Sequence, residues 1–163
     1  MGLPEFPVEG GCQCGAIRYR LKAAPLAIYA CHCKDCQRFS GTSHSLSMLV
    51  RKGDAELIAG VFSGFDKAAD SGRMVRMLGC SDCGTKIWNE PLASPELRVV
   101  KPGTLDDSSW AEPIGNIWTA RKLPWVEIDP DVPNFAGQPV SRQPLIDAFA
   151  AARLGAGAQK TPS

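Results

Sequence analysis

The chain has 163 residues, 44% of them hydrophobic and 21% charged, and carries a formal net charge of +1. That is enough apolar material for one core and too short a chain to need two. Three classes lose support: no Lys/Arg run supplies the footprint of a nucleic-acid binder, no apolar stretch reaches bilayer-spanning length, and the segment up to Gly11 has neither the order of a secretory leader nor, with Phe6 where Ser or Thr is required, a myristoylation signal.

In chain order, Ala16 to Leu21 alternates small or apolar with polar residues, and Leu26 to Ala30 follows across Pro25. Both are predicted strands, paired as a hairpin. Lys34 to Phe39 is expected to form one helical turn before Gly41. Ser45 to Val50 and Ala55 to Ile58 flank the turn signal Lys52-Gly53-Asp54 and are predicted to pair as a second hairpin. Further short strands are expected at Met74 to Leu78, Lys86 to Trp88, Leu97 to Val100, Ile117 to Ala120 and Trp125 to Ile128. Gly and Pro punctuation favours an antiparallel, mainly β organisation over alternating βαβ units. Near the end, Pro144 to Leu154 carries Leu145, Phe149 and Ala152 on one helical face, with Pro at its start and Gly155 beyond it, and so reads as a docking helix. Gly155 to Ser163 reads as a frayed tail. The expected division is one domain over residues 5–137, then the helix and a flexible tail over 138–163.

Seven cysteines without an export signal point to a reducing compartment, the cytoplasm, where close-set thiols more often ligate metal or do redox chemistry than pair as disulfides. They fall into three clusters: Cys12-Gln-Cys14-Gly15, Cys31-His-Cys33-Lys-Asp-Cys36 and Cys80-Ser-Asp-Cys83-Gly84. Zinc takes four ligands in a tetrahedron, and short Cys-x-Cys or Cys-x-x-Cys loops deliver two sulfurs from one turn of backbone. In the first and third clusters a glycine follows the second cysteine, which lets the chain leave a tight turn through positive φ, whereas the middle cluster has Gln37 there. On that basis Cys12, Cys14, Cys80 and Cys83 are paired as a closed structural site. Cys31, Cys33 and Cys36 remain as a second zinc site, approached by protein from one side. Three ligands with an exchangeable position is the pattern of a catalytic zinc. Two other readings of the middle cluster stay open: a second structural zinc closed by another residue, and a reduced Cys33-x-x-Cys36 pair doing thiol exchange. Lys34 and Arg38 are expected to compensate the thiolate charge, Arg38 being also a candidate substrate contact. His32 should point away from the metal that its neighbours face, and His44 is a weaker candidate for a fourth ligand. Trp118 and Trp125 are read either as pocket lining or as core.

The cysteines with their neighbours, from Gly11-Cys12-Gln-Cys14-Gly15 through Cys31-His32-Cys33-x-x-Cys36-Gln37-Arg38-x-x-Gly41 to Cys80-x-x-Cys83-Gly84-Thr85 and on to Pro124-Trp125, resemble the glutathione-dependent formaldehyde-activating enzyme family, also called the CENP-V/GFA domain. The resemblance implies a zinc-braced β-tent fold, two zinc ions per chain divided as above, and carbon-sulfur lyase chemistry on an S-hydroxymethyl adduct of a small thiol such as glutathione. One departure is that Asn116 stands where the family often has His. A non-catalytic zinc-braced binding module is the competing reading, and fold alone does not decide between them. The C-terminal helix is equally compatible with docking on its own domain and with a homodimer contact.

Overall fold

The structure is a computed structural model and describes residues 2–157, with side chains to residue 153. Two sheets share one core. The smaller has three strands, with β2 (Arg18–Leu21) between β1 (Val8–Gly11) and β5 (Ala55–Ala59). The larger has eight, in the order β11 (Asn134–Phe135), β10 (Asn116–Ile117), β3 (Ala27–Cys31), β4 (Ser45–Arg51), β9 (Leu97–Val100), β8 (Lys86–Pro91), β7 (Met74–Cys80) and β6 (Phe62–Ala68). Pairing is antiparallel except at one end, where β10 runs parallel to both β3 and β11. The fold class is therefore mainly β, with two helices: α1 (Lys34–Ser40) and α2 (Gln143–Gly157).

Apolar residues of both sheets join in one cluster. Tyr19 of the small sheet meets Trp88 of the large one edge-on at 5.8 Å, and Trp88 lies 4.6 Å from the Phe62 ring. Every residue of β3 is buried, because α2 packs over this strand through Leu145 and Phe149 while the core lies beneath it. That strand ends at Cys31, so a rigid, doubly covered element carries the first residue of the middle cysteine cluster. No helix among the described residues is long and apolar enough to cross a membrane.

Neither predicted hairpin forms. β2 and β3 lie in different sheets, as do β4 and β5, because the chain crosses from sheet to sheet at two adjacent points. The 3₁₀ turn Lys52–Asp54 makes the second crossing, and the Lys22 N–H donates to the Asp54 carbonyl at 2.8 Å, tying the two crossings together. Only Ile117 of the predicted strand Ile117 to Ala120 is extended; Trp118 takes φ 60° and Thr119–Arg121 turns as a 3₁₀ helix. Trp125 to Ile128 is not a strand, and β6 forms where none was expected. α2 continues to Gly157, beyond the glycine expected to end it, and Ala152 is exposed rather than buried. Of the expected tail, residues 158–163 lie outside the described residues.

Candidate functional site

Two cysteine knuckles of matching construction face each other. The Cys12 N–H donates to the Ile17 carbonyl at 3.1 Å and the Cys80 N–H to the Thr85 carbonyl at 2.9 Å, closing each loop. Gly15 and Gly84 adopt φ 81° and 73°, and their N–H groups donate back to the Cys12 and Cys80 carbonyls, each at 3.1 Å. A side chain at either position would be strained, which is why both loops end in glycine. Backbone N–H groups of Ile17 and Asp82 point at the sulfurs of Cys12 and Cys80, at 3.1 and 3.4 Å. Such donors favour thiolate over thiol. The Thr85 hydroxyl lies 3.1 Å from the Cys83 sulfur and accepts from the Gln13 N–H of the opposite knuckle at 3.2 Å. The Thr85 contacts are foremost in pulling the Cys83 thiol down to about 5.

The middle cluster is built differently. Cys31 ends β3, while Cys33 caps the N-terminus of α1, its sulfur accepting from the Cys36 N–H at 3.3 Å. Because the chain runs straight into a helix, no left-handed residue is needed after Cys36. Gln37 instead clamps the segment, its amide donating to the carbonyls of His32 at 2.8 Å and Arg121 at 2.9 Å. Contacts from Cys31 and Cys36 hold the Cys33 thiol down to about 2, while contacts with Cys33 and Cys36, together with burial, push Cys31 strongly upward.

Both sets fit zinc. Within each, the sulfurs all lie within 4.8 Å of one another. The separations Cys12–Cys14 (3.4 Å), Cys14–Cys80 (3.8 Å) and Cys31–Cys33 (3.6 Å) come within about 0.4 Å of the edge of about 3.8 Å that a tetrahedron with zinc–sulfur bonds near 2.3 Å requires. For the trio, no further His, Cys, Asp or Glu among the described residues joins the set. Its open side is a cleft with a cavity volume of about 130 Å³, lined by all three cysteines. Tyr29, Phe39, Val99, Ile117 and Trp118 supply apolar walls, and Lys67, Arg73 and Arg142 the cations.

The remaining candidates are distributed as follows. Arg38 is exposed on α1 and does not line the cleft, and Lys34 is engaged with Gln37 at 2.8 Å. The cation beside the trio is Lys101, buried just past β9, donating to the Ser45 hydroxyl at 3.0 Å. Burial lowers its pKa while the charges of Cys36, Cys31 and Cys33 draw it back up. No local pattern announces it, since it arrives from a strand far along the chain. His32 does turn away: its Nε2 lies 3.0 Å from the Asn116 side-chain oxygen, and Asn116 in turn donates to Asn134 at 2.8 Å. His44 packs against His32, ring centroids 5.2 Å apart, and does not approach the trio. Trp118 lines the cleft in a left-handed conformation, which for a bulky side chain is costly and tends to mark functional sites. Trp125 is neither pocket nor core but 72% exposed.

Compared with known proteins, residues 7–121 match the family model described as glutathione-dependent formaldehyde-activating enzyme. No curated protein matches. Among solved structures, a crystal structure of a Rhodobacter sphaeroides protein superposes with TM-score 0.51 at 18% identity, covering 64% of this chain and 96% of that one. At that identity the likeness speaks for the fold alone.

Proposed function

Since the chain belongs to the glutathione-dependent formaldehyde-activating enzyme family, we propose that it is a zinc-dependent carbon-sulfur lyase making or breaking the S-hydroxymethyl adduct of a small thiol, with glutathione the first candidate. The observation that carries this reading is the number of donors: Cys31, Cys33 and Cys36 converge beside a cleft with no further His, Cys, Asp or Glu among the described residues joining them, whereas Cys12, Cys14, Cys80 and Cys83 form a set of four. In the addition direction the thiol sulfur forms a bond to the formaldehyde carbon, the carbon-oxygen π bond breaks, and the thiol proton ends on the new hydroxyl. A zinc ion held by the trio supplies electrostatic stabilisation of the substrate sulfur as thiolate, the nucleophilic form. The chain's own part is to shape the site. Cys33 and Cys36 are fixed by the first turn of α1, Gln37 locks that turn to the backbone of His32 and Arg121, and Lys101 places a buried positive charge beside the sulfurs. Phe39, Val99, Ile117 and Trp118 reduce water around the reacting sulfur, which strengthens every charge interaction there.

Under this reading Cys12, Cys14, Cys80 and Cys83 hold a structural zinc, and the metal content is two ions per chain. Seven reduced thiols suit a reducing compartment such as the cytoplasm. The test is direct: zinc-loaded protein is mixed with glutathione and formaldehyde, and adduct formation is followed against the spontaneous reaction. Acceleration supports the assignment; none, at full zinc occupancy, ends it.

A further inference from the structure

The cleft has a wall that the family match does not reach. Residues 7–121 contain the cysteines, but Gln138 and Arg142 also line the cleft, contributed by the segment leading into α2. Gln138 accepts from the Trp118 indole N–H at 3.4 Å, and the Arg142 charge acts on the buried Tyr29 hydroxyl. The Arg142 Nε is buried with no acceptor.

The three cations of the cleft are not equivalent. Lys67 is paired with Asp35, whose other oxygen accepts from the Asp70 N–H at 3.2 Å, so that charge is spent in fastening the β6–β7 loop to α1. Arg73 is exposed. Arg142 is half-buried, and among the described residues no ion pair involves it. Balancing the thiolates does not require it, because the Lys101 charge already acts on them. A planar, always-charged fork in a cleft wall, with no ion-pair partner, matches a carboxylate held by two hydrogen bonds.

We propose that Arg142 binds a carboxylate of the substrate and thereby selects anionic over neutral small thiols. The inference names the substrate class of the lyase site proposed above and rests on that reading for the identity of the reacting sulfur. Arg142 is a specificity residue, supplied by a part of the chain outside the family match.

The test uses zinc-loaded protein and calorimetric titration with S-methylglutathione, which keeps both carboxylates and has no free thiol, and with its dimethyl ester, which has neither charge. Wild type is expected to prefer the acid. Arg142→Met should weaken acid binding by about 10- to 100-fold, the loss of a charge-assisted hydrogen-bonded pair, and leave ester binding unchanged. Arg142→Lys, which keeps the charge but loses the fork, should fall between. A structural role would lower acid and ester alike, and that result overturns the proposal, as does a wild-type preference near one or no binding of the acid. If Arg142→Met does not fold, the wild-type ratio and Arg142→Lys decide the question. Failure of the lyase reading would appear separately, in the glutathione and formaldehyde assay, because S-methylglutathione cannot enter that reaction.

Discussion

Cys12, Cys14, Cys80 and Cys83 and the trio Cys31, Cys33 and Cys36 use the same ligand atom at nearly the same spacing, yet the chain surrounds them in opposite ways. The quartet joins loops separated by 66 residues between Cys14 and Cys80, lies outside the cleft beside the trio, and offers four protein sulfurs. The trio comes from one short segment between a covered strand and a helix, with a cleft over its free side. Closing a long loop is where a metal contributes most to folding, and presenting an uncapped sulfur set to a cavity is where it contributes to chemistry. Ligand type is the same in both; the difference lies in how many donors the backbone brings and what fills the remaining corner.

The sharpest way to break that comparison is to remove one ligand from each. Cys83→Ser is expected to cost most of the folded population, since structural zinc binding in small domains is worth about 10 kcal/mol or more of folding free energy. Cys33→Ser should keep the far-ultraviolet circular dichroism of wild type while the zinc-to-protein ratio falls from two to one. Equal loss of structure in both variants would mean that the trio is also a brace. Next in size is Trp88→Ala. This side chain is fully buried, packs on Tyr19 and Phe62, and lies beneath the Arg98 guanidinium at 4.5 Å. Its loss should cost about 3–5 kcal/mol in denaturant unfolding, with the zinc ratio still two. A fall in zinc at unchanged stability would show that the inter-sheet core, not the knuckles alone, sets the quartet's geometry.

Lys101→Met addresses the other half. Residues that support ligands from behind typically change metal affinity by about 10- to 100-fold, so this variant should release one zinc to a competing chelator that much sooner while the second is held as in wild type. Release of both together would put Lys101 in the general scaffold.

How far these features could be read in advance follows from the range over which each is determined. The division of cysteines was legible because each knuckle is local: Gly15 and Gly84 take the positive φ that their positions require, and Gln37 stands where the chain enters a helix instead. Strand pairing was not, since Lys52-Gly53-Asp54 reads equally as a hairpin turn and as the 3₁₀ corner that sends β5 into the other sheet. The cleft was half legible. Trp118 was a candidate for it, but its side-chain direction depends on a left-handed backbone in a non-glycine residue, which no pattern signals. Lys101 and Arg142 were missed because they come near the trio only after β9 and the segment before α2 have been brought to β3 and α1. Lys34 and Arg38, within two residues of the trio's cysteines, were the natural choices; Lys34 is engaged with Gln37 and Arg38 is exposed on its helix.

The smallest effect expected comes from the surface beside the quartet. Arg18 on β2 makes two hydrogen bonds to Asp106, the first at 2.8 Å, and also reaches Glu9. The hydrogen bond from Arg18 is the main cause holding the Asp106 carboxyl below its usual value. A carboxyl whose pKa is lower in the folded than in the unfolded chain adds stability that is fully present above the unfolded value, about 3.9, and is lost as pH falls through the folded one. Because the Asp106 side chain is 56% exposed, screening should leave about 0.5 kcal/mol near neutral pH. Asp106→Asn should therefore lower unfolding stability by that small amount at pH 7, with the gap to wild type closing only below pH of about 4. If zinc saturates the quartet throughout, the gap should not depend on metal. If it widens when the quartet is stripped by chelator, then the ion pair and the knuckle brace the same strand, and the structural half of the molecule is shared between metal and salt bridge.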